Sequence, residues 1–346
     1  MFNQQIVNDK DIDICRKERL EIYNRLRNLA EGMSCTFLNF NDLMYNQYLI
    51  NNCNDRIISA LLSDLIPPQI FWKELDIKCQ LQGKKIWFVT DNLIEQPQHS
   101  FKNIYLLSFP KLMGTISQNN IFKVTPKFKR LYNCFIHRCE SVRQSWFYFL
   151  WLEGLLEKGY VSYLLFQLES YSKLKGVDLF DFIHYNNGLD NLEKFRKAHR
   201  ELRSKVPYTN FQESFDLTHY INDSKYSVVL ETYANNDDRS QWCFTEKILR
   251  SLQFPTISLI FSQKHSMKIL EDLGFAIDDI NKNWDGCDWI DRQRQILEVL
   301  KTDSVEYNPV LKKEQAYHNQ DLLSSWKKEY HLDDFFDPLI ESIKLS

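Results

Sequence analysis

The sequence predicts an α/β protein of two domains. Three observations predict it: a length of 346 residues, short apolar runs of strand length alternating with helical periodicities, and a strand, loop, helix, strand, helix succession in the second half. A chain of this length exceeds one small core, and ordinary domain sizes divide it in two. Hydrophobic residues at 44%, aromatics at 14% and only 9 Gly and 9 Pro describe a densely packed globular protein.

The elements follow in chain order. Leu20, Ile22, Tyr23, Leu26 and Leu29 recur at helical spacing, so an amphipathic helix is expected from about Ile14 to Ala30, with Gly32 just beyond its end. Thr36 to Phe40, Lys85 to Thr90 and Asn103 to Leu107 read as strands, and Asp55 to Leu65, stopped by Pro67-Pro68, reads as helix. Around Ser117 to Lys129 the chain turns polar and basic, which marks the domain boundary. Leu131 to Ile136 is then a strand, Ser141 an N-cap, Val142 to Glu157 a helix terminated by Gly159, and Tyr160 to Phe166 the next strand. Ser172 to Leu202 is charged, helical after Asp190, with a solvated face. Lys225 to Glu231 is a buried strand, followed by a polar loop, a helix capped by Thr245 and stopped by Pro255, the strand Thr256 to Phe261, and a helix from Ser266 to Gly274. Ile290 to Leu300 and Gln320 to Tyr330 are the clearest of the remaining helices.

Charge and motifs exclude several function classes. The 43 basic against 46 acidic residues leave a net charge of -3, which gives no electrostatic footprint for wrapping nucleic acid or resting on anionic lipid. The eight cysteines, Cys15, Cys35, Cys53, Cys79, Cys134, Cys139, Cys243 and Cys287, form no CxxC pair and no zinc-ligand spacing, and read as reduced, mostly buried thiols. Met1-Phe2-Asn3-Gln4-Gln5 opens no basic and apolar leader, so a cytoplasmic protein is expected. The most apolar stretch, Trp146 to Leu156, is interrupted by Glu153 and reads as a core helix, so no membrane span is expected. GxGxxG, GxxxxGK[ST] and GxSxG are all missing, and the one Asp-x-Asp, Asp11-Ile12-Asp13, precedes the first expected helix in a polar arm. No metal site is therefore expected.

The stretch Tyr226 to Phe261 places Glu231 at a strand's carboxyl end and Glu246 with Lys247 in the first turn of the next helix, all facing one crevice. In an open α/β sheet ligands sit outside the carboxyl ends of the strands, and a helix N-terminus offers N–H groups to a phosphate. Lys247 would add a point charge, and the Glu246 carboxylate can accept two ribose hydroxyls. Glu246 complementing the helix dipole and Lys247 lying in solvent explain the same residues without a ligand.

The order Ser227-Val228-Val229-Leu230-Glu231, a polar loop with Asn235 and Asn236, then Phe244-Thr245-Glu246-Lys247-Ile248 and an apolar strand after Pro255 resembles the nucleotide-binding region of the α-1,3-fucosyltransferases. It is also similar to a group of uncharacterised viral and bacterial glycosyltransferase-like proteins, through Thr-Glu-Lys followed by Leu273-Gly274-Phe275. The loop His137-Arg138 to Arg143 and the strand Gly159-Tyr160-Val161-Ser162 carry that similarity further. The resemblance covers roughly Leu131 to Phe275, and Thr232 stands where the fucosyltransferases have Asn.

The resemblance implies the GT-B type: two Rossmann-like domains facing a cleft, an acceptor-side domain over 1–125, a nucleotide-sugar-binding domain over 126–300 and C-terminal helices over 301–346, which would pack back on the first domain. It implies transfer of a sugar from a GDP- or UDP-linked donor to a hydroxyl on a glycan, a protein or a modified base, inverting in the first instance with retention as the alternative, without a metal or a separate cofactor. Arg143 and Lys247 would bind the diphosphate and Glu246 the ribose, with Arg138, Glu231, Asn235 and Thr245 around them. An inverting transferase needs a base on the acceptor side. Asp91 after the strand Lys85 to Thr90, with Glu95 and His99 beyond it, is placed for that role, although Asp91-Asn92 also suits a turn. Two other readings stand beside this one: a non-catalytic interaction protein on the same scaffold, and a nucleic-acid-associated enzyme using Lys123 to Arg130 with Phe122 and Phe128.

Overall fold

The computed structural model describes residues 9–61, 69–90, 93–94, 101–108, 128–136, 141–163, 197, 201, 208–211, 217–231, 241–242, 244–329 and 332–345. The chain forms two compact units, the first of Met1–Gln118, Asp238–Glu246 and Leu323–Ser346, the second of Asn119–Asp237 and Lys247–Leu322. Both are α/β with parallel sheets, compatible with a Rossmann-like fold.

In the first unit, α1 (Asp9–Gly32) precedes β1 (Thr36–Asn39), and α2 (Phe40–Tyr45) with a 3-10 turn (Gln47–Asn52) leads to β2 (Arg56–Leu61). Next come α3 (Gln69–Leu81), β3 (Lys85–Thr90), the short β4 (Leu93–Ile94) and β5 (Ile104–Ser108). β1, β2, β3 and β5 pair in that order, all parallel. Alternation along the strands divides the core into two layers. Ile57, Leu61, Ile86 and Phe88 face Phe40, Phe71, Trp72 and Leu75. Ile58, Ala60, Trp87 and Val89 face Ile22, Leu26 and Ala30 of α1, together with Phe336, Leu339 and Ile343 of the last helix, α11 (Leu332–Leu345). Trp87 Nε1 donates to Ser342 Oγ at 2.9 Å, which fixes α11 on that layer.

In the second unit, β6 (Arg130–Ile136), α4 (Ser141–Leu152) and β7 (Gly159–Tyr163) form one crossover. β8 (Tyr208–Thr209), α5 (Thr218–Asn222) and β9 (Ser224–Leu230) follow. Beyond β10 (Gln241–Trp242), α6 (Glu246–Ser251) and β11 (Ile257–Phe261) complete a second crossover. The sheet order is β11-β9-β6-β7-β8, parallel except for β8. The chain then runs through α7 (Ser266–Asp272), α8 (Lys282–Asp285), α9 (Trp289–Thr302) and α10 (Pro309–Glu329).

The two crossovers use opposite faces of that sheet. Val142, Trp146, Phe147 and Leu150 of α4 share one core with Tyr132, Cys134, Tyr226, Val228, Leu259 and Phe261. α6 lies on the other side, where Ser251 Oγ meets Ser258 Oγ at 2.7 Å, because Ser258 alternates with Ile257 and Leu259. One crossover leads from β6 outward to β7, the other from β9 outward to β11 in the opposite sense. This is double winding, and it puts a topological switch point between β6 and β9.

Several expectations need correction. Asp55 to Leu65, expected as helix, contains β2: Ile57, Ile58, Ala60 and Leu61 are all buried, and a central parallel strand buried on both faces reads as a continuous apolar run. The helix of that region is α3. Asp11-Ile12-Asp13 lies inside α1, not ahead of it. The helix expected to reach Glu157 ends at Leu152, because Gly154 takes φ 65 and Leu155 N donates to Leu150 O at 2.8 Å and Gly154 N to Trp151 O at 3.1 Å, the Schellman pattern. Gly159 is thus no terminator; it opens β7 with its backbone against the Tyr132 ring. Gly32 is the last helical residue of α1, and Ser34, at φ 55, makes the stop. The helix expected from Gln320 starts at Pro309.

Among the described residues Cys35, Cys53, Cys79, Cys134 and Cys287 are free thiols, and no helix is long and apolar enough to cross a membrane.

Candidate functional site

The switch point lies at the carboxyl ends of β6 and β9, and the second unit places a buried cation there. Arg143, the third residue of α4, is 2% exposed, and its Nη2 donates to Leu230 O, at the last residue of β9, at 3.0 Å. The helix that follows β6 therefore reaches across the top of the sheet to β9. Glu231 comes next; its backbone N–H continues the ladder to Phe261 O at 2.9 Å and its side chain is buried. A guanidinium carries five N–H donors in a fixed fork, and the bond to Leu230 O takes one of them. Charges this far from water persist only with partners, and both Arg143 and Glu231 are engaged. Burial also pushes the Cys134 thiol, on β6, up to about 12, against the opposing pull of a Trp146 hydrogen bond and the Arg143 charge.

The Thr-Glu-Lys segment opens α6 as expected. Thr245 sits at the cap position, fully buried, and Lys247 is half-buried and engaged. α6 has only 6 residues, so few peptide dipoles align in it. The Glu246 side chain lies outside the described residues. The chain passes from the first unit to the second at Glu246–Lys247.

The far end of α6 is held by α10. Asn319, 1% exposed, donates to Leu252 O and Ala276 O, both at 2.9 Å, and accepts from Ala276 N at 2.8 Å. Gln320 Nε2 donates to Gln253 O at 2.8 Å. These amides satisfy carbonyls that a helix end leaves open. The N-terminus of α7 is occupied by the protein itself: Asp285 Oδ1 accepts from Met267 N at 3.0 Å and Oδ2 from Lys268 N at 3.4 Å. Burial raises the Asp285 carboxyl above the usual range, and these two amides act against the rise.

Of the acceptor-side residues, Asp91, Glu95 and His99 lie outside the described residues, as do Arg138 and Asn235. The strand between the two carboxylates is β4, and it pairs antiparallel with β10 in register Leu93↔Trp242 and Ile94↔Gln241. The strand flanked in sequence by Asp91 and Glu95 is thus the partner of the strand that leads, three residues on, into Thr245. Sequence reading missed this pairing, because two-residue strands carry no periodicity.

The basic stretch before β6 is engaged in its described part. Lys129 Nζ meets Asp223 Oδ2 at 2.6 Å, and Arg130 Nη1 donates to Glu157 O at 2.5 Å with its guanidinium over the Tyr160 ring. Among the described residues no three His, Cys, Asp or Glu side chains group as metal ligands would. Asn319 and Asp285, which hold the far end of α6 and the N-terminus of α7, left no local signal, since each acts on backbone far away in sequence.

No protein-family model matches the chain, and neither a curated protein nor a solved structure matches it.

Proposed function

We propose that this chain is a GT-B-type glycosyltransferase built from two Rossmann-like domains, and that it moves a sugar from a GDP- or UDP-linked donor to a hydroxyl acceptor. The observation that carries the reading is the buried Arg143 guanidinium bonded to Leu230 O at the switch point, where open α/β sheets receive ligands. In this reading the donor diphosphate lies over the carboxyl ends of β6 and β9. Arg143 and Lys247 neutralise the charge that grows on the nucleotide as the anomeric carbon–oxygen bond breaks, and Glu246 accepts the ribose hydroxyls. The acceptor hydroxyl attacks the anomeric carbon and gives its proton to Asp91 or Glu95. β4, which lies between the two in sequence, pairs with β10, three residues ahead of Thr245.

Incubation of the full chain with GDP- and UDP-sugars, with and without a panel of hydroxyl acceptors, tests this. Release of free nucleotide that falls at least about tenfold in Lys247→Ala supports the proposal. No release from any donor, with or without acceptor, contradicts it.

A second reading has its own observation. An arginine 2% exposed and bonded to its own backbone also suits a cation that serves the fold alone, as in a non-catalytic interaction protein on the same scaffold. Binding of a nucleotide without turnover or donor hydrolysis would favour it.

A further inference from the structure

One surface of the first unit has no place in this chemistry. α3 buries Phe71, Trp72, Leu75 and Cys79 against the sheet, yet Ile70 is 64%, Ile77 57% and Leu81 81% exposed. At about 100° per residue these three fall within an arc of about 40° on the outward side. Tyr48 adjoins them: it is 71% exposed, with Lys78 Nζ 4.6 Å from its ring centroid. Single exposed apolar residues are ordinary, whereas an aligned stripe on one helix marks an interaction surface.

The charges beside the stripe select the partner. Lys73 lies about 60° to one side and Glu74 about 40° to the other, at nearly the same height, and both are exposed. Among the described residues neither is in an ion pair. When two copies of this helix meet about a two-fold axis parallel to them, the left flank of one faces the right flank of the other. Lys73 then opposes Glu74 of the second copy twice, and the stripe meets itself. When the copies run antiparallel, like flanks meet and Lys73 opposes Lys73. The pattern complements itself in the parallel two-fold arrangement, an isologous contact.

We propose that a second copy of this chain docks on the outward face of α3, the two helices parallel about a two-fold axis, with Lys73 against Glu74 across it. A helix of 13 residues is about 20 Å long, which places the contact at the small end of specific interfaces, so association is concentration-dependent. The proposal is independent of the catalytic reading.

Sedimentation velocity of the full chain from about 1 to 200 μM tests it, with four variants whose folding is checked by circular dichroism. The wild type dimerises, Ile77→Asp is monomeric, and Lys73→Glu weakens association at least about tenfold because two Glu–Glu pairs replace two attractive ones. The charge-swapped Lys73→Glu/Glu74→Lys chain recovers most of it. Ile77→Cys then forms an intermolecular disulfide under mild oxidation, because the parallel arrangement brings position 77 against itself, while the wild type treated alike does not. A wild type monomeric throughout, or a charge-swapped chain no better than Lys73→Glu, overturns the proposal. Failure of Ile77→Cys to cross-link in a chain that does dimerise overturns the parallel geometry.

Discussion

Arg143 Nη2 donates to the carbonyl oxygen of Leu230 at 3.0 Å, tying the first turn of the helix after β6 to the last residue of β9. That bond spans the switch point of a doubly wound sheet, and under the proposed function the same guanidinium would serve both the fold and the donor diphosphate. The two roles separate experimentally. Arg143→Ala strips a buried carbonyl of this donor, and a loss of about 1–3 kcal/mol in urea unfolding of the ligand-free chain is expected. Arg143→Lys keeps a charge but not the fork, and is expected to recover part of the stability while still binding a nucleoside diphosphate more weakly than wild type. A chain as stable as wild type after Arg143→Ala would show that the bond contributes nothing.

Gly159 is required by packing. A Cβ there would stand 2.5 Å from Tyr132 Cζ, and Tyr132 is fully buried with its OH donating to Leu155 O at 3.0 Å. Gly159→Ala is expected to destabilise by about 1–3 kcal/mol, as overpacking does. Added to Tyr132→Leu, the same change should cost less than it does alone. Additive effects in a double-mutant cycle would contradict the contact.

Lys312 Nζ meets Asp278 Oδ1 at 2.5 Å with both side chains largely buried, and Asp278 Oδ2 accepts from Ser258 N at 2.8 Å. Burial holds the Lys312 ammonium below its ordinary 10.5, against the pull of Asp278. The unfolded chain then binds the proton more tightly than the folded one. The ammonium's burial cost is therefore fully present below the folded value and is relieved as pH rises from there towards 10.5. Lys312→Met should remove that alkaline gain from a pH series of unfolding curves. At neutral pH it should cost about 3 kcal/mol, because Asp278 is left without its cation. Lys312→Met with Asp278→Leu should cost less than Lys312→Met alone.

Burial raises the thiols of Cys79 and Cys134 to about 12. At pH 8 only about one molecule in ten thousand would carry either thiolate. Iodoacetamide on the native chain should leave both unmodified while the half-buried Cys287 reacts, and urea should abolish the difference. Labelling of Cys134 in the native state would contradict its placement on β6 beneath α4.

The α/β class and most strands of the second unit are legible in the sequence, because Lys225 to Glu231 and Thr256 to Phe261 are apolar runs bounded by polar loops. Central strands are less legible: β2 reads as helix in the sequence because Ile57, Ile58, Ala60 and Leu61 are buried on both faces, and such a run has neither period. Helix ends are illegible where the left-handed residue, Gly154 or Ser34, lies away from the conspicuous Gly159 or Gly32. In the site, Arg143 and Lys247 are visible as charges near strand ends. What holds the helices that carry them is not, because the bonds of Arg143 to Leu230 O and of Asn319 to Leu252 O and Ala276 O join residues 87, 67 and 43 apart.

The proposed function requires a nucleoside diphosphate site at the carboxyl ends of β6 and β9 in which Lys247 takes part. Isothermal titration of the full chain with GDP, UDP and CMP tests it most directly. GDP or UDP is expected to bind, and Lys247→Ala, with its circular dichroism unchanged, to weaken that binding at least about tenfold. Absence of binding by all three nucleotides, or an affinity unaltered in Lys247→Ala, would contradict it.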